Sequence, residues 1–359
     1  MNVGFIGTGW TERVQIQVYQ KAGLHPYGIA SGNYENALRV QRNFGLTKAY
    51  QHWQELVIDP NIDIISIVTP THLHYKMLHY AIQNKKRVIC QAPFMNYKEI
   101  QKLVVVAEKY SHKKSVFIDF ELRFVPVIQK LKQLIQSGVA GQIHWIELEY
   151  RHNFGLDKAT PYGWENDLAK GGGVLNTIAD HFIDLSQWLL NDQIIQVLGN
   201  SLIVVDERTD SSHTKHNVTG DQQVNLWCKF NNHIQGRVLV TSVSAFQGID
   251  IIIHGSQGSF HLKDSVLQSN IGDDFPNKRW KTVEVQDDAQ QALGDDLSSY
   301  LFADGSYHFA KNLAQNTAKL SNAVLIHEAV QVQKVLDQAQ ASILEKKWKD
   351  ISINQPMIV

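Results

Sequence analysis

The sequence predicts an α/β protein with an N-terminal doubly wound parallel sheet and a second α/β domain built on a mainly antiparallel sheet. Three observations support this. Short apolar runs alternate with helical patterns over the first 120 residues, longer β-like runs follow one another after that point, and a Gly-x-Gly turn directly follows the first strand. We therefore expect two domains, at residues 1–121 and 122–359.

The first domain is predicted from alternating strands and helices. The run DIISIV is continuously apolar, which is typical of a parallel strand buried on both faces. Strands are predicted at 3–6, 27–30, from 49, and at 63–68, 87–90 and 116–119, with helices within 7–22 and at 36–44, 53–58, 75–84 and 98–110.

The second domain begins with a predicted helix at 127–137, which Gly138 can terminate as a C-cap. Successive strands without intervening helices then indicate antiparallel pairing. Strands are predicted at 143–151, 194–205, 222–230, 234–243, 249–254 and 259–262, with helices at 174–190 and 323–345. The polar segment 206–220 is predicted to be an exposed loop.

Composition excludes several classes of protein. The chain has 359 residues, with 34 Lys and Arg against 35 Asp and Glu. This balance gives no electrostatic basis for binding nucleic acid or an anionic membrane surface. Two cysteines exclude a disulfide framework and are consistent with a reducing compartment. No basic and hydrophobic leader precedes the first strand, so we expect no signal peptide and a cytoplasmic location.

The turn Gly7-Thr8-Gly9 lies between the first strand and the first helix. There the first glycine permits a tight turn and the second lets the backbone approach a pyrophosphate at the helix N-terminus. Glu12 occupies the position where a third glycine or alanine is usual. The alternative is an ordinary glycine turn in a domain that binds no nucleotide.

The turn Ser31-Gly32-Asn33 follows the second strand, where NAD-binding proteins usually have a carboxylate for the ribose 2′-hydroxyl. Ser and Asn can donate hydrogen bonds to a 2′-phosphate, and Arg39 or Arg42 could reach it from the next helix. We therefore favour NADP over NAD. The alternative is a turn whose composition has only a local structural reason.

Three further segments resemble the Gfo/Idh/MocA oxidoreductases. The first consists of two neighbouring stretches, residues 63–74 (DIISIVTPTHLH) and 86–93 (KRVICQAP). The second is residues 171–184 (GGGVLNTIADHFID), and the third is residues 249–262 (IDIIIHGSQGSFHL). The resemblance implies an N-terminal Rossmann domain and a C-terminal α/β domain with a large open sheet. It also implies an NAD(P)-dependent oxidoreductase or dehydrogenase that acts on a sugar, polyol or sugar derivative.

The glycine turn and the matching segments together give the candidate cofactor-binding residues. These are Gly7, Thr8, Gly9, Trp10, Ser31, Gly32, Asn33, Thr69, Pro70, His74, Gln91 and Pro93. His72, His74 and His79 lack a carboxylate or cysteine at a recognised zinc spacing, so no metal site is predicted.

The resemblance also implies a catalytic lysine in E-K-P, and an aspartate and a histidine in D-x-G-x-H. Here Ala92 replaces the lysine, Thr177 replaces the aspartate, and only His181 is retained. In a regular helix Thr177, His181 and Asp184 share a face, while Asp180 points about 100° away unless the helix is distorted. We expect His181 to handle the proton and Thr177 to hydrogen-bond the substrate or His181. Asp184 could orient His181 or raise its pKa by its charge.

These replacements leave three outcomes open. His181 acts alone, another residue such as His74, Tyr162 or Arg123 substitutes, or the protein binds a dinucleotide without turnover. The alternative functions are thus a catalytically silent sensor or regulator, and a lyase or glycosidase-like enzyme that cycles a retained cofactor.

Two structural expectations complete the interpretation. Phe154, Tyr162 and Trp164 could line a sugar-sized pocket or serve only packing, and residues 171–173 could bring backbone close to a ligand or simply loosen the helix entry. Because one helix cannot cover a whole sheet, we expect a homodimer or homotetramer formed through the open sheet face.

Overall fold

The computed structural model describes residues 1–110, 115–272, 275–276, 279–294, 297, 300–315 and 320–353. It divides the chain into two compact units. The first contains the described residues of Met1–Phe94, Lys98–Pro126 and Asp287–Val330, and the second contains Met95–Tyr97, Val127–Gln286 and the described residues from Gln331 onward.

The strands account for both sheets and a small separate hairpin. They are β1 Asn2–Ile6, β2 His25–Ala30, β3 Lys48–Tyr50, β4 Ile64–Ile67, β5 Arg87–Gln91, β6 Val116–Asp119, β7 Ile143–Arg151, β8 Ile194–Leu202, β9 Glu207–Thr209, β10 Lys215–Asn217, β11 Gln223–Phe230, β12 Gln235–Thr241, β13 Gly248–Gly255, β14 Gly258–Lys263, β15 Val266–Ile271, β16 Lys281–Thr282, β17 Val324–Leu325 and β18 Lys349–Asp350.

The α-helices are α1 Ile16–Lys21, α2 Tyr34–Phe44, α3 Trp53–Ile58, α4 Thr71–Gln83, α5 Tyr97–Lys109, α6 Pro126–Gln136, α7 Asp180–Leu190, α8 Ala289–Leu293, α9 Leu301–Gln315 and α10 Ala329–Glu345. Two π-helical segments, Thr11–Gln15 and Leu175–Ala179, lead directly into α1 and α7. Short 3-10 helices cover Glu121–Phe124, Trp164–Asn166 and Leu168–Lys170.

The first unit is built on a seven-stranded sheet in the order β17-β6-β5-β4-β1-β2-β3. Strands β1 to β6 pair in parallel, and β17 joins the edge antiparallel. The strand order reverses between β1 and β4. In open α/β sheets such a reversal produces a crevice at the carboxyl ends of the strands, where ligands bind. The predicted doubly wound sheet is confirmed.

Residues 287–330 belong to this first unit, so its boundaries differ from the division at residue 121 that the sequence predicts. Lys21 Nζ on α1 donates a hydrogen bond to the Ala292 carbonyl (2.7 Å), and Val324 pairs with Ile118 of β6. Gly305 on α9 packs against the main chain of Glu121, where a Cβ atom would lie 2.3 Å from the carbonyl oxygen. A local pattern cannot reveal packing across such sequence separations.

The second unit is built on a nine-stranded sheet in the order β16-β15-β14-β13-β7-β12-β11-β8-β18. Its pairs are antiparallel except β7 with β12, which confirms the mainly antiparallel prediction. Burial alternates along β7, β11 and β13 as one face turns inward. On that face Tyr150 stacks on Phe182 of α7, with 5.7 Å between ring centroids.

Several predicted elements differ in detail. The helix predicted at 174–190 is a π-helical segment followed by α7. Helix α4 begins at Thr71 instead of residue 75, and the last helix begins at Ala329 instead of residue 323. The segment predicted as an exposed loop at 206–220 contains the β9–β10 hairpin, and Arg208 in it is 3% exposed. Its polar composition hid a hairpin because the strands have three residues each.

Within the described part of the chain, the helices are too short or too polar to span a bilayer.

An ion-pair cluster joins the start of the 287–330 segment to α9. His308 Nε2 lies 2.9 Å from Asp287 Oδ1 and 3.2 Å from Asp304 Oδ1. Burial by itself lowers the pKa of His308, but the hydrogen bonds and charges of both carboxylates raise that pKa to about 9. Burial raises the pKa of Asp304 to about 6.

This cluster predicts a pH-dependent stability. Because the pKa of His308 is about 9 in the folded state and near 6.5 when unfolded, its contribution is complete below pH 6.5 and is lost as pH rises towards 9. We expect urea unfolding to show a loss of about 1–3 kcal/mol across this range, and a smaller loss in His308→Gln. Equal pH slopes in the two proteins would contradict the assignment.

Candidate active site

The glycine turn after β1 is fixed by a close approach of two backbone segments. Gly7 has φ +108°, and a Cβ atom there would lie 2.0 Å from the carbonyl oxygen of Val68, just after β4. Within the described part of the chain, a Cβ atom on Gly9 would meet no heavy atom within 4 Å. The turn therefore lies at the reversal of strand order, with open space over Gly9. This geometry fits a pyrophosphate approaching backbone N–H groups at a helix start.

The helix that follows begins with the π-helical segment. Glu12 N–H donates to the Thr8 carbonyl (3.0 Å), so Glu12 lies one turn beyond the glycines. Trp10, half-buried, packs edge-on to Tyr300 with 5.7 Å between centroids. Among the residues that the structure describes, its buried Nε1 has no hydrogen-bond partner. Trp10 thus anchors the turn on the 287–330 segment by ring packing, and its role as a cofactor ligand remains a prediction.

Glu12 forms a bidentate ion pair with Arg39 of α2. One guanidinium nitrogen contacts Oε1, and Nη2 donates to Oε2 at 2.7 Å. The hydrogen bonds from Arg39 hold the pKa of Glu12 below its usual range. From the sequence, Glu12 is a departure from the glycine pattern and Arg39 is a possible ligand of the 2′-phosphate. The sequence did not predict that these two side chains form an ion pair.

The turn after β2 is a helix cap. Asn33 Oδ1 accepts from Glu35 N–H (3.0 Å), and Asn33 N–H donates to Ser31 Oγ (3.3 Å). These bonds account for the local preference for Ser and Asn, and they leave the Asn33 amide group and the Ser31 hydroxyl as donors. A Cβ atom on Gly32 would meet no heavy atom within 4 Å. Gly7 N–H donates to the Ala30 carbonyl (2.9 Å), so the two turns are adjacent.

His74 links two further predicted segments. It is buried on α4, with Nε2 2.7 Å from the Thr69 carbonyl oxygen and Nδ1 2.9 Å from the Pro93 carbonyl oxygen. Burial lowers the pKa of His74, although both carbonyls oppose this. Because both ring nitrogens contact the main chain, His74 positions the loops after β4 and β5. Its suggested role as a substitute proton acceptor remains a prediction.

The remaining predicted cofactor residues surround these contacts. Thr69 Oγ1 lies 3.5 Å from Met77 Sδ, and Pro70 precedes the first residue of α4. Gln91 is the half-buried last residue of β5, and Ala92 follows it, also half-buried. Ala92 offers only a methyl group where the resembling family has an ammonium. Of the other suggested substitutes, Arg123 lies half-exposed on the 3-10 helix Glu121–Phe124.

In the second unit, Thr177 lies within the π-helical segment. Its hydroxyl donates to the Gly173 carbonyl (2.9 Å). The predicted spacing of four residues between Thr177 and His181 assumed a regular α-helix, whereas here the helix is π-type up to Ala179. The hydroxyl proton is therefore already used inside the helix. Only the oxygen lone pairs of Thr177 remain for another donor.

His181 is the second residue of α7 and is 7% exposed. Burial lowers its pKa to about 3, so this pKa is not raised as one of the two expected effects of Asp184 would require. His181 is thus a neutral imidazole at physiological pH. The other expected effect, orientation of His181 by Asp184, remains a prediction.

Asp180 lies in the distorted region that the sequence allowed for only as an exception. It is fully buried at the start of α7. Burial raises the pKa of Asp180 well above its usual range, the charge of Asp184 adds to this, and hydrogen bonds from backbone N–H groups oppose it. Burial therefore favours the uncharged form of Asp180, which is next to His181 in the sequence.

The three glycines before this helix serve close packing within the second unit. A Cβ atom on Gly172 would lie 2.5 Å from the carbonyl oxygens of Trp164 and Glu165, and Gly173 has φ +92° with Asp221 N 2.9 Å from its Cβ position. Asp221 Oδ1 accepts from Leu175 N–H (2.8 Å). Burial raises the pKa of Asp221 to about 6. Asp221, which sequence reasoning missed, thus fixes the start of the helix that carries His181.

The aromatic loop before the glycines is held by the β9–β10 hairpin. Arg208 donates to the carbonyls of Gly155 (2.6 Å), Asp157 (2.6 Å) and Thr160 (3.0 Å). Tyr162 stacks on His216 at 4.5 Å, and His216 Nε2 lies 2.8 Å from Asp210 Oδ2.

The other aromatic side chains of this loop are more accessible. Phe154 is 46% exposed, and Trp164 is half-buried. Their role in lining a sugar pocket remains a prediction.

One cluster of potential metal ligands occurs among the described residues. The ligand atoms of Asp287, Asp304 and His308 lie within 4.8 Å of one another. With a pKa of about 9, His308 is protonated at neutral pH and is an ion-pair partner of both carboxylates. We assign the cluster to structural ion pairing. Of the histidines considered as metal ligands from sequence, His74 has both nitrogens on main-chain carbonyls.

Comparison with known proteins defines the class. A family model described as an oxidoreductase family with an NAD-binding Rossmann fold matches residues 1–118, and a GFO/IDH/MocA C-terminal domain matches residues 128–261. The chain is therefore a dinucleotide-binding oxidoreductase by fold. It belongs to the GFO/IDH/MocA family, as its sequence motifs indicate.

Individual relatives are distant but cover most of the chain. A levoglucosan dehydrogenase from Pseudarthrobacter phenanthrenivorans is 25% identical over 312 residues, covering 79% of this chain and 80% of the relative. An NAD-binding oxidoreductase from Klebsiella pneumoniae has a TM-score of 0.85 at 24% identity, covering 99% of this chain and 100% of that chain. A levoglucosan dehydrogenase solved with NADH and L-sorbose has a TM-score of 0.85 at 23% identity, covering 98% and 99%. These two structures confirm the fold.

The cap by Asp221 gives a stability prediction. Asp221→Ala leaves Leu175 N–H without its acceptor, and we expect a loss of about 1 kcal/mol in the free energy of unfolding. Asp221→Asn keeps an oxygen at that position and should recover most of the loss. Urea denaturation of the three proteins measures this. An Asn variant as unstable as the Ala variant would contradict capping as the role of Asp221.

Proposed function

We propose that this protein is an NAD(P)-dependent oxidoreductase acting on a sugar, a polyol or a sugar derivative, with a weakened catalytic set. The observation that carries the proposal is the Gly7–Gly9 turn. Its backbone is held against Val68 at the reversal of the strand order, and the space over Gly9 is open. Membership of the oxidoreductase family supports a redox role.

The proposed cofactor is NADP or NAD, with NADP favoured. The N–H groups of the Gly7–Gly9 turn would face the pyrophosphate, while Ser31 and Asn33 would face the adenosine ribose. The absence of a carboxylate in the 31–33 turn supports NADP, because a carboxylate there would repel a 2′-phosphate. A bound nicotinamide ring supplies hydride transfer. The remaining predicted contacts, from Trp10, Thr69, Pro70, Gln91 and Pro93, are part of this proposal.

The proposed substrate class rests on relatives and on one loop. A levoglucosan dehydrogenase is a distant relative, and levoglucosan dehydrogenase structures share the fold. The loop with Phe154, Tyr162 and Trp164 offers aromatic surfaces suited to a sugar ring, and Arg208 keeps its backbone in place. We propose that this loop contacts the substrate.

We propose that His181 handles the hydroxyl proton. A neutral imidazole can accept a proton or a hydrogen bond, but a pKa of about 3 makes it a weak base. Thr177 can accept a hydrogen bond from the substrate, since its own proton is donated to Gly173. With Ala92 in the lysine position, no ammonium from that residue would stabilise a developing alkoxide. Slow turnover follows from these three features.

The same features support a second candidate, a dinucleotide-binding sensor or regulator without turnover. Ala92, the donated hydroxyl of Thr177 and the lowered pKa of His181 each weaken catalysis, whereas the Gly7–Gly9 turn is intact. A redox-cycling lyase or glycosidase-like enzyme is a further alternative. It would turn over substrate without net change in its cofactor.

We propose a homodimer or homotetramer formed through the outer face of the second sheet. By register, Leu239 and Ile252 lie on that face, opposite the buried Val238 and Ile251. Trp227 is 41% exposed, and its ring lies 5.9 Å from that of Trp145. Arg237 pairs with Glu147 and Glu149 at the centre. Because Arg237 is already paired within the chain, the apolar side chains around it can pack against the same face of a second copy.

We also propose a cytoplasmic location. Cys90 and Cys228 are both buried and do not form a disulfide. Two reduced, buried thiols are consistent with a reducing compartment.

We expect measurable NAD(P)H binding but weak or absent dehydrogenase activity on simple sugars and inositols. Cofactor titration with a panel of sugars, followed at 340 nm, tests this. A net absorbance change identifies a dehydrogenase, binding without chemistry a sensor, and product without net cofactor change a cycling enzyme. Any activity should fall at least about a hundredfold in His181→Ala.

The double variant Ala92→Lys with Thr177→Asp restores the lysine and the aspartate of the family motif and tests for a gain of activity. If the two missing groups limit catalysis, activity should rise in it. Brisk turnover of the unmodified protein that survives His181→Ala would show that another residue or water takes the proton.

We expect light scattering at micromolar concentration to give the mass of two or four chains. Ile252→Lys places a charge on the outer sheet face and should shift the protein towards monomer. Val105→Lys, at a 63% exposed position on α5, is the matched control and should leave the mass unchanged. A monomeric unmodified protein would rule out the assembly.

A further inference from the structure

The ion pair between Glu12 and Arg39 is unusual for its place in the fold. Glu12 occupies the third position of the glycine fingerprint, where a small residue normally permits close packing. Here the side chains of Glu12 and Arg39 are 26% and 49% exposed and meet through two parallel contacts. A fork of this kind holds the guanidinium in one orientation. The pair is therefore a fixed surface feature between α2 and the π-helical start of α1.

Its position relates it to the turns after β1 and β2. Glu12 lies one turn beyond Thr8, and Arg39 lies six residues, about 9 Å along α2, from the cap Asn33. The long Arg39 side chain covers part of that distance. The Gly7 to Ala30 hydrogen bond makes the two turns neighbours, so Glu12 and Arg39 both lie on helical segments that begin at the turns where the candidate cofactor groove is expected.

We propose that the Glu12–Arg39 pair sets the discrimination between NADPH and NADH, with Arg39 as the ligand for the 2′-phosphate and Glu12 as the group that withholds it. This inference rests on the proposed function, because it requires a dinucleotide in the groove. It adds a specificity-determining pair to the contacts that Ser31 and Asn33 are proposed to make with the ribose.

The direction of the effect follows from charge. A 2′-phosphate would compete with the Glu12 carboxylate for one guanidinium and would also be repelled by that carboxylate. NADH carries a hydroxyl at the same position and experiences neither effect. Glu12 therefore reduces the affinity for NADPH and leaves the affinity for NADH nearly unchanged. As a result, the preference for NADPH over NADH is smaller than the turn without a carboxylate would give by itself.

The test is calorimetric titration of NADPH and NADH with the full-length protein and its variants. Glu12→Gln should tighten NADPH about tenfold and change NADH by less than about twofold. Arg39→Gln should weaken NADPH about tenfold and leave NADH nearly unchanged. In the double variant the gain from Glu12→Gln should disappear, because the freed guanidinium is gone.

Arg42→Gln is the matched comparison. It removes the same charge from the same helix three residues further on, and it tests the other arginine that the sequence offers for the 2′-phosphate. Arg42 is exposed in the last turn of α2, and its replacement should leave the ratio of the two affinities within about twofold. Circular dichroism and thermal melting establish that each variant is folded. If Glu12→Gln fails to fold, Arg39→Lys replaces it, because a lysine keeps the charge but loses the fork and should also raise NADPH affinity.

The outcomes separate this inference from the proposed function. If both dinucleotides bind and neither Glu12→Gln nor Arg39→Gln moves the affinity ratio beyond that of Arg42→Gln, the inference is overturned and the proposed function stands. An affinity ratio that Arg42→Gln changes as much as Arg39→Gln also overturns it, because the effect is then general charge. If no folded protein binds either dinucleotide, the proposed function itself fails.

Discussion

The contact between Gly7 and the Val68 carbonyl is the constraint on which the first unit depends. It joins the ends of β1 and β4, the two strands between which the strand order reverses. A side chain at Gly7 would separate those ends, and its φ of +108° disfavours one in any case. His74 extends the same edge by tying the loops after β4 and β5 through their carbonyls. The candidate cofactor groove is thus assembled mainly from backbone.

Local patterns in the sequence predict most of this architecture. Buried runs such as residues 64–67 are apolar throughout, and 143–151 matches β7, so period and length identify strands directly. What the sequence could not indicate depends on distant partners. The 287–330 segment joins the first unit through α9 and β17, and the β9–β10 hairpin is too short and polar to show a period. The π-helical distortion before α7 likewise has no signal in residue spacing.

The candidate site was predicted in its composition but not in its electrostatics. Motif resemblance located the Ala92 and Thr177 replacements, because these are identities at fixed positions. The sequence also suggested that Asp184 could raise the pKa of His181, whereas burial lowers that pKa to about 3. Asp221 and Arg208 escaped notice because each acts on main-chain groups that no motif names. Glu12 departs from the glycine fingerprint in the sequence itself, and a search for a basic partner on the following helix could have found Arg39.

The membership of residues 287–330 in the first unit also bears on how the chain is made. During synthesis, residues 1–126 emerge well before α9, whose Phe309 and Leu313 belong to the same apolar core as Val3 and Phe5. The nascent first unit therefore leaves part of its interior uncovered until about seven-eighths of the chain has been translated, including every strand of the second sheet except β18. Contacts between residues so far apart in the sequence slow folding, because the long intervening chain has to be closed into a loop before they form. A gene fragment cut after residue 126 would encode an incomplete dinucleotide-binding unit.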